Sequence, residues 1–508
     1  MSAPTDPGVE TAQVDRVGWE LDGYRLVVGL EVHVELTELE TKMFSPDPIS
    51  FGAEPNTMVS PVSAGLPGSL PVVNAAAVAA AARLGLALNC DIAERCQFHR
   101  KNYFYPDLPK NYQISQYDVP LCSGGWLEVT VGEGDDAETV RIGIERVHME
   151  EDTAKSTHAG ETGRLHGADR TFIDLNRAGV PLLECVSRPD IRHPDEAQAY
   201  LRELVGIARA LRISDAKMEE GSIRCDANVS VHREGEPFGT RTEIKNVNSV
   251  RSLGRAIAYE AERQVRLVQD GGEVVQETRH WDEGRGVTET LRRKETLADY
   301  RYFPDPDLVP VVHTPERVEE LRASLPELPA QTRGRLIDAG VAPAQAATIV
   351  DNGLTPWLDE AVDAGADAAT VGNWLSGDLL GKLGQEGLEP HQSGLTGRHI
   401  GELVRLIEDG TLSNKLAKQV LETMVEERGE RSPAAIAQQE GLEQVSDEGE
   451  LQAIVDQVIA DNPDTVETIR AGNAKAIGAL VGEVMKATRG QADPRLTNEL
   501  LRKSIAAD

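Results

Sequence analysis

Residues 222–231 read SIRCDANVSV, and residues 31–36 read EVHVEL. In the first run Ile223, Cys225, Ala227, Val229 and Val231 alternate with Arg224, Asp226, Asn228 and two serines. In the second, Val32, Val34 and Leu36 alternate with Glu31, His33 and Glu35. A period of two puts each set on one side of a strand. Beyond the turn HREGEPFG, Arg241, Glu243 and Lys245 again share a face, so the last two strands predict a hairpin. An antiparallel sheet with one wet face explains alternation by itself. It does not explain the composition, because a solvated face is usually Lys, Glu and Thr. Here His, Asp, Asn and Arg recur beside further acidic groups: His148 to Asp152 (HMEED), Glu184, and Glu219 with Glu220. Carboxylates with an occasional imidazole suit Mg²⁺ or Mn²⁺. Magnesium bridges such carboxylates to substrate phosphates, which points to ATP chemistry if the segments converge.

Outward from these strands the chain is mixed, then helical. Helices are expected over Asn74–Leu88, Pro194–Arg212 and Val250–Val268, with Asn74 as an N-cap. Asn102–Pro120 is rich in aromatics and proline and reads as an ordered loop over a pocket or a packed surface loop. The character changes near residue 310. The expected organisation is a flexible extension at 1–22, an α+β catalytic domain at 23–310, a helical domain at 311–405 and a helical tail at 406–508. Glu440–Glu467 holds nine acidic residues and no Lys or Arg. Arg470–Lys503 holds seven basic residues (Arg470, Lys475, Lys486, Arg489, Arg495, Arg502, Lys503) against three acidic. That polarity fits a nucleic-acid-binding tail or a solvated helical hairpin.

At 508 residues the chain is too long for one core, and its net charge of −32 argues against a generic polyphosphate-binding surface. No apolar run approaches a membrane span. Five scattered cysteines without a CxxC fit reduced thiols in a cytoplasmic protein. The sequence has no GxxxxGK[ST], no HExxH, no GxSxG and no glycine-rich serine loop of the amidase kind. A hydrolase with its own nucleophile is not expected.

The ordered motifs VGLEVHVEL, KMFSPDP, GLPGSLPVVN, RKNYFYPDLPKNYQISQYD, HMEEDTAKSTH, DLNRAGVPLLECVSRPDI, KMEEGSIRCDANVSV, TEIKNVNSV and DYRYFPDPDLVP closely resemble the B subunits of bacterial aspartyl/glutamyl-tRNA amidotransferases. The resemblance is strong from Val27 to Pro310 and looser through the tail. It implies an antiparallel-sheet cradle like that of glutamine synthetase and the guanido kinases. It also implies ATP and Mg²⁺ as cofactors, and misacylated tRNA(Gln) or tRNA(Asn) as substrate. The implied partners are an amidase-type A subunit and a small C subunit in a heterotrimer, with the charging synthetase as a further partner. Carried over by position, Glu31, His33, Glu150, Glu151 and Glu184 are expected around the metal and the ammonia path. His33 is an unusual Mg²⁺ ligand and could instead orient a water or a carboxylate. Lys155, Arg224 and Lys245 are expected at phosphates. Asn176, Glu219, Asp226, Asn228, Glu243 and Asn246 are expected to shape the nucleotide or acyl site, with ordinary structural roles an equal alternative.

One departure stands out. Where many relatives carry cysteine pairs, this chain has Ser45 and Ser60-Pro61-Val62-Ser63, so no zinc is expected. Two rival readings are a ligase for a small free acid and a non-enzymatic RNA-binding protein. The basic tail argues against the first, and the acidic charge with carboxylate-rich strands against the second.

Overall fold

A computed structural model describes residues 18–132, 134, 137–159, 168–293, 300–442, 448–470, 473, 476–488 and 491–507. The chain divides into two compact units, Met1–Ala330 and Gln331–Asp508.

The first unit is built on a ten-stranded sheet. Its long strands are β1 (Tyr24–Glu35), β4 (Cys122–Val131), β5 (Glu138–Glu151), β6 (Pro181–Ser187), β7 (Ile223–Arg233), β8 (Thr242–Lys245), β9 (Glu277–Asp282) and β10 (Val287–Arg293). A smaller sheet holds β2 (His99–Asn102) and β3 (Tyr112–Ser115). The order across the large sheet is β10-β9-β8-β7-β1-β6-β5-β4, ending on the short strand Asp91–Ile92. Glu20–Leu21, inside the expected N-terminal extension, folds back onto Arg25 and Tyr24 of β1.

The expected hairpin is present: Ala227 faces Ile244 and Asn228 faces Glu243 across β7 and β8. The sheet is not wholly antiparallel, however. β8 and β9 run parallel because helix α3 (Val250–Gln269) crosses over between them, and a crossover returns the chain in the same direction. The segment expected to be a loop at Asn102–Pro120 contains β3, which pairs with β2 from His99↔Ser115 to Asn102↔Tyr112. Its prolines lie outside the paired residues and leave the ladder intact.

The apolar face explains the alternation. Leu26, Val28, Leu30, Val32 and Val34 of β1 are completely buried and join one core with α1 (Ala75–Ala87), α2 (Pro194–Ala210) and α3. Helix α1 starts where Asn74 Oδ1 accepts the amides of Ala76 (2.9 Å) and Ala77 (3.2 Å). All five cysteines are buried and free, and burial pushes their thiols up in pKa.

β5 contains a phase break. Val140, Ile142 and Ile144 are buried, and then Val147 and Met149. The register with β6 slips at the same place, Val186 facing Arg146 but Ser187 facing Ile144, so Glu145 forms a bulge. The bulge moves Arg146, His148 and Glu150 onto the polar face.

The second unit is helical, with one core from Leu336 to Ala437 and another from Leu451 to Ile505. The latter joins the helices Glu448–Asp461, Pro463–Arg470, Ile477–Ala487 and Pro494–Ala507. Among the described residues no helix is long and apolar enough to cross a membrane.

Candidate active site

The polar face of the sheet is continuous across five strands. Register places Glu184 of β6 opposite both His33 of β1 and His148 of β5, and Arg224 of β7 opposite His33. Asp226 lies opposite Glu31. Neighbouring residues in register share a face, so a row of charged side chains runs over the middle of the sheet.

At the centre, Glu184 Oε2 lies 3.4 Å from His33 Nε2 and 3.5 Å from His148 Nε2. His148 Nε2 also lies 3.3 Å from Glu150 Oε1. Glu150 accepts Ser115 Oγ–H at Oε1 (2.6 Å) and Gln113 Nε2–H at Oε2 (3.1 Å), both from β3. One ligand atom from each of His33, Glu150 and Glu184 lies within 4.8 Å of the others. Two carboxylates and one imidazole in this spacing fit a divalent cation of the Mg²⁺/Mn²⁺ class.

Burial disfavours charge here, but the neighbours outweigh it. Glu184 is held well below the usual carboxylate range by His148, His33 and Lys101. Glu150 is lowered despite its burial by Lys101 and His148. Burial pulls His33 down, yet the hydrogen bond and charge of Glu184, with Asp226, leave it raised. Lys101 is raised against its own burial by Glu150, Tyr302 and Glu184, and sits 5.2 Å over the Tyr300 ring.

Two flanking groups complete the face. On one side, Arg224 Nη2 donates to Asp152 Oδ2 (2.7 Å) and lies 3.7 Å from Glu35 Oε1. Burial, with the hydrogen bond to Asp152, pushes Glu35 up to about 9. Asp152 is pushed up by burial but held low overall by Arg224, Arg177 and Glu35. Between pH 5 and 8 unfolded Glu35 has lost its proton while folded Glu35 keeps it, so stability falls as pH rises. Asp152 is ionised in both states across that window and adds no slope. Glu35→Gln should therefore raise the melting temperature more at pH 8 than at pH 5; equal shifts at both would remove Glu35 as the proton holder.

On the other side, Asn228 Nδ2 donates to Glu31 Oε1 (2.9 Å), and Lys245 bonds Asp226 and lies 3.4 Å from Glu243 Oε1. Glu243 Oε2 accepts Thr278 Oγ1–H at 2.7 Å. Among the described residues, Asn228 Oδ1 and Arg224 Nε are buried without a hydrogen-bond partner, on the face that carries the cluster.

The structure thus brings together Glu31, His33, Glu150, Glu184, Arg224, Asp226, Asn228, Glu243 and Lys245. The other expected site residues lie elsewhere. Glu151 follows Glu150 in the strand and makes a different set of bonds: it pairs with Lys110 (2.6 Å to Oε2) and accepts the Ile114 amide (2.9 Å). It anchors the aromatic segment before β3. Both partners are nearly buried, with side chains 11% and 3% exposed. Glu151→Ala should cost roughly 3 kcal/mol by stranding Lys110, read as a lower denaturant midpoint; an unchanged midpoint would deny the pair any net stabilising role.

Lys155 is exposed in a separate two-stranded sheet, opposite Asp174. Asn176 ties two loops, accepting the Met58 amide (2.9 Å) and donating to Glu54 O (2.7 Å). Glu219 is exposed in the turn before β7. Asn246 takes a left-handed turn (φ 66°) and donates to Trp281 O at 3.3 Å. Around Asp47, Ser45 Oγ (3.1 Å), Ser63 Oγ (2.5 Å) and the Ser60 amide (2.9 Å) donate to one carboxylate oxygen.

Reading by motif noted His148 within an acidic cluster but gave it no role, and gave none to Arg146, Lys101, Lys110, Gln113 or Ser115. The phase break in ETVRIGIERVHMEE, where apolar spacing changes from Ile144 to Val147, marks Arg146 and His148 as companions of Glu150.

Comparison with known proteins bears on what this face belongs to. Residues 26–319 match the GatB/GatE catalytic domain, and residues 356–505 match the GatB domain. The chain is 51% identical over 492 residues to the B subunit of the aspartyl/glutamyl-tRNA(Asn/Gln) amidotransferase of Thermobifida fusca, covering 96% of this chain and 95% of that one. It belongs to the amidotransferase B-subunit family. The similarity extends to the B subunits of Salinispora tropica, 51% identical over 95% of this chain and 96% of that one, and of Carboxydothermus hydrogenoformans, 48% identical over 95% and 99%. The polar face lies wholly inside the match to the family's catalytic domain.

The tail cations lie in the second family match. Arg470 is exposed and donates from Nε to Ile505 O at 3.3 Å. Lys486, Arg495, Arg502 and Lys503 are exposed, and Lys475 and Arg489 lie outside the described residues. Gly478 and Gly482 of Ile477–Ala487 have open space where a Cβ would stand, so among the described residues neither serves close helix packing.

Proposed function

We propose that this chain is the ATP-using subunit of a tRNA-dependent amidotransferase, working in the cytoplasm on Glu-tRNA(Gln), Asp-tRNA(Asn) or both. Family membership makes it a subunit of a carbon–nitrogen ligase with glutamine as amido donor, and so of a multi-subunit enzyme. The observation that carries the mechanistic reading is the His33–Glu150–Glu184 cluster on a polar sheet face.

A carboxylate does not react with ammonia, so it must first be activated. Its oxygen attacks the γ-phosphorus of ATP, ADP leaves, and an acyl phosphate forms. Ammonia then attacks the acyl carbon, phosphate leaves, and the nitrogen sheds a proton to give the amide. His33, Glu150 and Glu184 would hold Mg²⁺, which neutralises phosphate charge and aligns the attacking oxygen. Arg224 and Lys245, kept on the face by Asp152 and Asp226, are the cations offered to phosphate. Asn228 Oδ1 and Arg224 Nε offer unused hydrogen-bonding capacity to nucleotide or acyl group. An amidase-type A subunit supplies ammonia, a small C subunit completes the heterotrimer, and the charging synthetase delivers the tRNA.

The test uses the assembled complex with γ-labelled ATP and misacylated tRNA, withholding any ammonia source. Label should accumulate on Glu-tRNA or Asp-tRNA and be released as phosphate when ammonium is added. Label transferred to free glutamate as readily as to aminoacyl-tRNA would favour a small-acid ligase. No transfer to either would sink the phosphorylation step.

A further inference from the structure

His33 and His148 flank the same oxygen of Glu184 at nearly equal distances, yet their other contacts differ. Arg146 Nε lies 3.4 Å from His148 Nδ1. A guanidinium has protons and no lone pair, so Nδ1 is the acceptor and the ring proton must sit on Nε2. That Nε2–H points between Glu150 Oε1 (3.3 Å) and Glu184 Oε2 (3.5 Å). His148 therefore has no lone pair to give a cation, whereas among the described residues no guanidinium fixes the tautomer of His33 in this way. The His148 side chain is only 4% exposed, so water does not substitute for these bonds.

We propose that His148 is a positioning residue, held in its Nε2–H tautomer by Arg146, which bridges the two carboxylates and sets their separation for the cation. The inference rests on the cation reading above. Its logic is that of a group behind a metal ligand: a fixed donor orients each carboxylate and limits the rotamers it samples. The bulge at Glu145 is what lets Arg146 and His148 stand beside Glu150 on this face.

The test measures Mn²⁺ binding to the full chain, by electron paramagnetic resonance of the ion alone, with circular dichroism to confirm folding. His148→Phe should raise the Mn²⁺ Kd by about 10–100-fold. His148→Gln returns one N–H donor and should recover part of that loss. Arg146→Met leaves the imidazole but frees its tautomer, and should weaken binding and broaden the bound-ion spectrum. A folded His148→Phe chain with wild-type Kd and spectrum overturns the proposal. Should that variant fail to fold, wild-type Kd values for both His148→Gln and Arg146→Met overturn it instead. A wild-type chain that binds no Mn²⁺ overturns the cation site itself, and this inference with it, which separates the two failures.

Discussion

Glu184→Gln is expected to lower ATP-dependent amidation by more than ~100-fold, beyond the 10–100-fold typical of groups that only support a metal ligand. The argument is electrostatic. Glu184 is one of two carboxylates in the cluster, and its charge is maintained under burial by two imidazoles and Lys101. Glutamine keeps the shape, removes the charge, and places an amide where the two imidazoles require an acceptor. The neighbouring Glu150 has three protein donors already and cannot supply the missing charge. Because the loss falls on activation of the carboxylate, label transfer from ATP should vanish together with amide formation. On the function proposed above, glutamine hydrolysis by an amidase-type partner should persist at least in part. Normal label transfer in Glu184→Gln would remove this residue from the site.

The second large effect concerns tRNA. With a net charge of −32, long-range attraction is unfavourable, so binding must rest on local cations acting within about 8 Å at physiological salt. Arg495, Arg502 and Lys503 are exposed on the single helix Pro494–Ala507, whereas Arg470 lies on another helix and is tied to the Ile505 carbonyl. Replacing those three by alanine should raise KM for charged tRNA and flatten the salt dependence of binding by roughly 0.9 log unit of slope per lost contact. For three contacts, the affinity fall between ~50 and ~200 mM salt should shrink roughly 40-fold. Substitution is a cleaner test than truncation after Asn462, because Leu451, Val455 and Val458 share a core with Leu480 and Leu500. Cutting there would expose half a core rather than remove an arm. Unchanged KM and salt slope would show that this helix is not where tRNA docks.

The strands that form the site were legible because burial imposes a period of two, and one-sided burial leaves the other side's chemistry in plain view. Glu31, His33, Arg224, Asp226 and Asn228 were found in that way. Glu150, Glu151 and Glu184 stand out as acidic clusters and take their metal role from the resemblance, although the partners of Glu151 are Lys110 and the Ile114 amide. Adjacent residues of a strand point oppositely, so a pair of glutamates seldom serves one site. The parallel pairing of β8 and β9 was not legible, since a hairpin pattern on one side says nothing about the next neighbour. Nor was β3, because its four residues are too few for periodicity and stand among prolines that suggest irregular chain. Lys155 and Asn176 were placed by motif alone, and a motif does not tell a ligand-binding residue from one that pins a loop.

The bulge at Glu145 has a consequence for how this strand tolerates change in its pairing. Upstream of it the buried apolar residues of β5 are even-numbered, and downstream they are odd-numbered. Pairing Glu145 regularly, with no residue left out of the ladder, would carry one rhythm through the strand and turn Arg146, His148 and Glu150 inward, with Val147, Met149 and Glu151 outward. The strand would then pair more regularly while directing three ionisable groups into hydrocarbon. Loops elsewhere can shift at small cost, but here one residue left out of the ladder keeps the chemistry on the correct side of the sheet.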